Sequence, residues 1–118
     1  MNAAEELPAI EIDPERLAGW MAEDPRLQVV DVREPYEREA GRIEPSAHIQ
    51  LTELAERASS LEGDGAIVFY CRVGNRSLMA AQAFRASGFE AYSLQGGLVR
   101  WVGEGRPLSP EGGYVADH

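Results

Sequence analysis

The fold is decided by residues 66–77, which read AIVFYCRVGNRS. The first five of these residues are nearly all apolar, a pattern typical of a central strand that is covered on both faces. The strand ends directly at Cys71, the only cysteine of the chain. A short loop with one glycine follows, and an alanine-rich run over residues 77–87 predicts a helix that ends at Gly88. The segment therefore predicts a strand, a tight loop and a helix in immediate succession.

The rest of the sequence repeats this order of strand and helix. Further runs with strand character cover residues 9–12, 27–32, 47–51 and 91–94. Asp13 and Pro14 predict the capped start of one helix, and Thr52 predicts the start of another. Strands that alternate with helices are joined in parallel by right-handed crossovers. The sequence therefore predicts an α/β fold with about five mainly parallel strands and helices on both faces of the sheet.

The composition indicates one acidic globular domain. The chain of 118 residues has 11 basic residues, all of them arginine, against 20 acidic ones, which gives a net charge of −9. Such a chain is not expected to bind nucleic acid or an anionic membrane surface. No apolar run approaches the roughly 18 residues that span a bilayer. A single cysteine excludes an intramolecular disulfide and a multi-thiolate metal site, and a reducing, cytoplasmic location is expected. No spacing of histidine and glutamate indicates another metal site, and we expect no cofactor.

Three stretches differ in composition. We expect the folded domain to cover residues 9–106. A polar segment over residues 1–8 is predicted to be flexible, and the proline- and glycine-containing residues 107–118 are predicted to form a mobile tail.

The loop after Cys71 predicts a site for an anionic sulfur. In an open α/β sheet, ligands bind beyond the carboxyl ends of the strands. Successive backbone N–H groups of such a loop can converge on one anionic atom, and the start of a helix adds the positive end of its dipole. A lone cysteine at a strand end is usually an inert, buried side chain, but a core position does not need the Arg72 and Arg76 that follow it. A thiolate in this setting suits attack on oxyanions of sulfur, phosphorus or arsenic.

Four motifs in this order resemble the rhodanese family of sulfurtransferases. The first motif, residues 31–37, reads DVREPYE and is similar to the family's DVRE-x-x-E segment after an early strand. The second, residues 41–49, reads GRIEPSAHI and is similar to its GHIPGAINIP segment. The third is the cysteine loop itself. The fourth is Leu94, the pair Gly96-Gly97 and Trp101, similar to its L-x-GG-x-x-x-W. The chain departs from the second motif at Arg42, Glu44, Ser46 and His48, where loop shape and partner preference are expected to change more than the chemistry.

The resemblance implies a three-layer rhodanese-like sandwich and a sulfurtransferase. Cys71 would take the outer sulfur of a small anionic donor, such as thiosulfate or a related persulfide, and become a persulfide itself. A thiol, cyanide or a protein acceptor would then remove that sulfur. The loop expected to hold the persulfide anion consists of Arg72, Val73, Gly74, Asn75, Arg76 and Ser77.

Several charged residues have two possible roles on this resemblance. Arg72 is expected at the mouth, where it either binds the anionic donor or is simply solvated. Arg76 is expected to point back and hold the loop, with Glu34 or Asp31 as its partner. Asp31 and Arg33 either line the pocket or form an ion pair that fixes two loops, and we favour the ion pair.

Other residues have expected structural roles. Gly74 permits a backbone conformation that a side chain resists, and Asn75 and Ser77 brace or cap the loop. The Gly96-Gly97 pair is expected to turn tightly into a helix, and Trp101 is expected in the core. Neither His48 nor His118 is placed as a base for the cysteine.

Two other functions fit parts of the pattern. Cysteine phosphatases and arsenate reductases also have a loop that begins with Cys and ends with Arg, but their loop encloses one residue more than the four between Cys71 and Arg76. The shorter loop favours transfer of a single sulfur atom. A rhodanese-like interaction or redox-sensing module, in which Cys71 is not catalytic, is the alternative that is not an enzyme.

Overall fold

A computed structural model describes residues 8–61 and 65–118. Its strands are β1 (Glu11–Ile12), β2 (Gln28–Asp31), β3 (Ala47–His48), β4 (Ile67–Tyr70) and β5 (Ala91–Leu94). Its α-helices are α1 (Pro14–Glu23), α2 (Pro35–Ala40), α3 (Leu54–Arg57), α4 (Asn75–Ala86) and α5 (Gly97–Gly103). Short 3₁₀ turns, Leu51–Glu53 and Ala58–Ser60, flank α3.

The strands form one parallel sheet in the order β1-β5-β4-β2-β3. This confirms the α/β fold and the number of strands predicted from the sequence. In the register, Asp31 at the end of β2 lies between Tyr70 of β4 and His48 of β3. The carboxyl ends of these strands therefore meet at one edge of the sheet, directly before Cys71.

Alternating side chains of the strands divide the core into two layers. Ile67 and Phe69 of β4 pack on one face with Phe84 of α4, while Val68 and Tyr70 pack on the other with residues of α1 and α5. All four β4 residues are buried, which explains why this strand reads as a continuous apolar run. The structure thus has helices on both faces of the sheet, as predicted.

The helix ends follow local chemistry in some places and not in others. Asp13 caps α1, where its side chain accepts a hydrogen bond of 2.8 Å from Arg16 N. Gly88 follows the end of α4 with φ +94°, as the sequence indicated. The prediction that Thr52 caps a helix is wrong, because Thr52 lies inside a 3₁₀ turn and α3 begins only at Leu54.

Residues 107–118, predicted as a mobile tail, lie against the domain in the structure. Ser109 and Arg42 exchange backbone hydrogen bonds of 2.8 and 2.9 Å, and Tyr114 N donates to Ala40 O at 2.9 Å. A Cβ on Gly41 would lie 2.5 Å from Tyr114 O, so the two chain segments approach as closely as glycine allows. These contacts are made by backbone groups, which composition does not reveal.

The predicted flexible segment 1–8 lies, apart from Pro8, outside the described residues. Within the described part of the chain, each helix is too short or too polar to cross a membrane.

Candidate active site

Cys71 lies where β4 ends, and its sulfur is surrounded by main-chain donors. The residue is 1% exposed. Sγ accepts hydrogen bonds from Gly74 N at 3.1 Å and from Ser77 N at 3.4 Å. Gly74 precedes α4 with φ +107°, a conformation that resists a side chain, so glycine lets the loop fold back over the sulfur. The positive ends of two fixed N–H dipoles therefore point at this one atom.

A pair of buried hydroxyl groups holds the start of α4. Ser77 Oγ lies 2.7 Å from Ser93 Oγ on β5 and donates to Gly74 O at 3.3 Å. Its distance to Cys71 Sγ is 3.5 Å. Ser93 was not found from the sequence, because nothing in a buried strand marks one serine as a partner of the loop. The pair ties the cysteine loop to the neighbouring strand.

The Gly96-Gly97 turn packs against the cysteine loop from the other side. Leu98 N donates to Cys71 O, and Val99 N donates to Arg72 O, both at 3.0 Å. Gly97 has φ +58°, and a Cβ on it would lie 2.4 Å from Arg72 O. The glycine pair therefore does more than turn the chain into α5, because it lets that helix approach the loop backbone.

The guanidinium of Arg76 binds Glu37. Its two terminal nitrogens donate to the two carboxylate oxygens at 2.8 and 3.0 Å. Burial alone would raise the pKa of Glu37, but the Arg76 guanidinium and the Glu34 N–H hold it below its usual value. Hydrogen bonding to Glu37 raises the pKa of Arg76 in turn. The predicted partners, Glu34 and Asp31, are thus corrected to Glu37, which lies one helical turn after Glu34 and faces the loop.

Asp31 and Arg33 form a buried ion pair. Arg33 Nε and Nη2 donate to the two Asp31 oxygens at 2.9 and 2.8 Å, and both side chains are fully buried. Arg33 Nη2 also donates to Gly41 O at 2.7 Å, which links the end of β2 to the end of α2. The pair supports the edge of the sheet that carries Cys71, and neither residue lines the pocket beside it.

A pocket of about 290 Å³ opens beside the cysteine. It is lined by Cys71, Arg72, Val73, Asn75, Arg76 and His118. Arg72 is at the mouth, with 34% of its side chain exposed, and its Nη2 lies 3.5 Å from Asp117 Oδ1. Arg72 Nε is buried and has no hydrogen-bond partner among the described residues.

His118 lines the pocket and Asp117 contacts Arg72 at its mouth, which the sequence did not indicate. Tyr36 OH donates to Asp117 O at 3.1 Å. His118 Nε2 lies 3.1 Å from Glu34 Oε2 and faces the same pocket as Cys71. The sequence of residues 107–118 gave no sign of these contacts, because it has no helical or strand periodicity from which a packed face can be inferred.

One group of side chains has the composition of a metal site. Glu34, Glu37 and His118 each place a ligand atom within 4.8 Å of the others. Both oxygens of Glu37 already accept hydrogen bonds from Arg76, so a cation here would compete with a guanidinium. We assign no metal to this group.

Comparison with known proteins places the chain in a family. Residues 13–104 match the Rhodanese-like domain. A sulfurtransferase of Allochromatium vinosum is 33% identical over 104 residues, which cover 86% of this chain and 97% of that protein. The thiosulfate sulfurtransferase GlpE of Pseudomonas aeruginosa is 39% identical over 75 residues, covering 63% of this chain and 68% of that protein.

Solved structures agree with this match. The crystal structure of a rhodanese-related protein from Thermoplasma volcanium superposes with a TM-score of 0.78 at 32% identity, covering 85% of this chain and 97% of that one. The chain belongs to the rhodanese-like domain family. Its relatives support a role of the sulfurtransferase class.

Proposed function

We propose that the protein transfers a sulfane sulfur through a persulfide on Cys71. The Cys71 thiolate attacks the outer sulfur of thiosulfate or of a related persulfide donor, the donor's S–S bond breaks, and sulfite leaves thiosulfate with the electron pair. A thiol, cyanide or a protein thiol then attacks the outer sulfur and expels the Cys71 thiolate. No cofactor takes part in this exchange, and a reducing cytoplasmic setting would keep the thiol available between turnovers.

The observation that carries the proposal is the geometry around Cys71 Sγ. Two main-chain N–H groups point at the sulfur, from Gly74 and Ser77, and helix α4 begins at the same place. This arrangement stabilises negative charge on one atom without placing a fixed cation against it. It therefore suits a reaction in which an anionic sulfur is both the nucleophile and the leaving group.

Arg72 is proposed to bind the anionic donor. About a third of its side chain is exposed at the pocket mouth, and its Nη2 makes only a loose contact of 3.5 Å with the exposed Asp117 carboxylate, which a donor oxygen can replace. Arg76, in contrast, is fully engaged by Glu37 and acts by holding the loop. The remaining loop residues, Val73 and Asn75, line the pocket beside these groups.

The loop length argues against a phosphatase. Only four residues separate Cys71 from Arg76, and the N–H groups of Gly74, within this loop, and of Ser77, just after it, point at the sulfur itself. A phosphate monoester brings three further oxygens that need their own donors, and both terminal nitrogens of Arg76 already donate to Glu37. We therefore expect aryl phosphates to be hydrolysed at no more than the background rate.

The test is the intact mass of the protein after incubation with thiosulfate. We expect one added sulfur atom that a thiol or cyanide removes, with thiocyanate as the product of cyanide. Cys71→Ser is expected to remain folded and to take up no sulfur, since a hydroxyl group does not form a persulfide. An unmodified wild-type mass would favour the interaction or redox-sensing module instead.

A further inference from the structure

The pocket beside Cys71 holds one imidazole. Its lining residues are Cys71, Arg72, Val73, Asn75, Arg76 and His118. Of these, apart from Cys71, only a histidine side chain exchanges a proton near neutral pH. His118 is therefore the one group in this pocket lining that can accept a proton from an incoming substrate.

We propose that His118 is the catalytic base that removes the proton from a thiol acceptor in the second half of the sulfur transfer. The proposal rests on the sulfurtransferase function proposed above and names its acceptor class. An ordinary thiol with a pKa of about 8.5 is mostly protonated at neutral pH, whereas only the thiolate attacks sulfur. A thiol acceptor therefore needs a base when it reaches the persulfide.

The charge around the mouth explains why the base belongs inside the pocket. Glu34 contacts His118 and Asp117 contacts Arg72, two residues of the pocket lining, and the chain has a net charge of −9. The net negative charge opposes the approach of every anion; Arg72 can offset this for a donor that has oxygen atoms to bind, and a neutral thiol is not affected. A neutral thiol that loses its proton only beside the outer sulfur avoids that repulsion.

Glu34 orients the base. When His118 Nε2–H donates to Glu34 Oε2, 3.1 Å away, the lone pair of the neutral ring is on Nδ1. The carboxylate also stabilises the imidazolium that forms when Nδ1 takes a proton. The other charged or titratable groups described near this ring are Cys71, Arg72 and Arg76 of the loop, Tyr36 and Glu37 of α2 and the adjoining Asp117.

The proposed step conserves atoms and electrons. His118 takes the acceptor's S–H proton, and the thiolate forms a bond to the outer sulfur of the persulfide. The bond between that sulfur and Cys71 Sγ breaks, and Sγ keeps the electron pair as a thiolate held by Gly74 N and Ser77 N. His118 then returns the proton to the outer sulfur, now part of the acceptor's persulfide. No external oxidant or reductant is required.

The experiment separates the two halves of the reaction. Wild-type protein, His118→Gln and Glu34→Gln are loaded with thiosulfate, freed of excess donor and mixed with an alkyl thiol in the presence of a chelator. Loss of the added sulfur is followed by intact mass. Glu111→Gln is the matched control, because it changes an exposed polar side chain in residues 107–118 that has no described contact with the pocket.

We expect His118→Gln to slow the loading of sulfur much less than its transfer to the thiol, since thiosulfate has no proton to lose. Transfer to the thiol near pH 7 is expected to be about a hundredfold slower, the usual scale for a lost general base, and about tenfold slower in Glu34→Gln. The transfer rates of both variants should approach the wild-type rate near pH 9.5, where the thiol ionises in solution without a base.

Two outcomes would refute the assignment of His118 as the base, and a third would refute the proposed function. Transfer by His118→Gln at the wild-type rate near pH 7 overturns the proposal, as does a defect that is equal at all pH values, which indicates a structural role. A wild-type protein that takes up no sulfur refutes the proposed function itself. Glu34→Gln gives a second, independent reading if His118→Gln unfolds.

Discussion

Gly97→Ala tests how closely the glycine turn must approach the cysteine loop. The new Cβ would lie 2.4 Å from Arg72 O and 2.6 Å from Cys71 O. Such contacts are essentially never shorter than 3.0 Å, so the loop or the turn must move by about 0.6 Å. Both oxygens also accept hydrogen bonds from the first turn of α5, so the displacement is passed to Cys71 and to the N–H groups that hold its sulfur.

The expected effect is large on activity and moderate on stability. A misplacement of about 1 Å costs on the order of a hundredfold in rate, so we expect kcat/KM to fall about 10- to 100-fold. The positive φ of +58° adds strain. A non-glycine residue in that conformation costs about 1–2 kcal/mol, and overpacking costs about 1–3 kcal/mol, so we expect a stability loss of about 2–5 kcal/mol.

The assay is thiocyanate formation from thiosulfate and cyanide, measured well below the Tm of each variant. Gly103→Ala is the matched control, because Gly103 ends the same helix and a Cβ there meets nothing within 4 Å. It should keep wild-type turnover. Wild-type kcat/KM in folded Gly97→Ala would refute the argument that this turn sets the position of the sulfur.

Three further changes test the surroundings of the site. Arg72→Ala should raise the KM for thiosulfate about threefold and weaken its salt dependence, as expected for a partly exposed cation, whereas the exposed Arg57→Ala should do neither. Glu37→Gln should lower the free energy of unfolding by about 2 kcal/mol near neutral pH, since it weakens a charge-assisted pair with Arg76. Because the folded pKa of Glu37 lies below the unfolded value, the wild-type advantage in denaturant titrations should be complete above about pH 5 and shrink as the pH falls. Ser93→Ala should reduce stability by about 1 kcal/mol and slow sulfur loading a few-fold, and an unchanged loading rate would mean that the hydroxyl pair does not position the loop.

The fold was predictable because the strong signals are local. The apolar run of β4, the Asp13 cap and Gly88 all act within a few residues, and the structure has each of them where the sequence indicated. Thr52 shows the limit of this approach. A good capping residue does not start a helix when the flanking turns adopt 3₁₀ geometry.

The partners around the site were harder to predict because they come from distant segments. Glu37 and Arg76 are 39 positions apart, and Tyr36 meets Asp117 across 81. A motif shows that charged residues are present and not which of them pair. The placement of His118 depends on backbone contacts of residues 107–118 with the end of α2, and composition carries no information about those contacts.

Two kinds of electrostatic interaction act at the site, one over a few ångströms and one over the whole chain. At about 3 Å, the N–H groups of Gly74 and Ser77 act on one sulfur atom, while both loop arginines are paired with carboxylates, closely for Arg76 and loosely for Arg72. Over longer distances the chain is strongly acidic, with a net charge of −9, and salt screens that field beyond about 10 Å. Short-range dipoles can therefore stabilise an anionic sulfur inside a protein whose overall charge repels anions. In the sulfur transfer proposed above, this long-range field would oppose an anionic acceptor in solution, and it would not oppose a neutral acceptor that becomes an anion only inside the pocket.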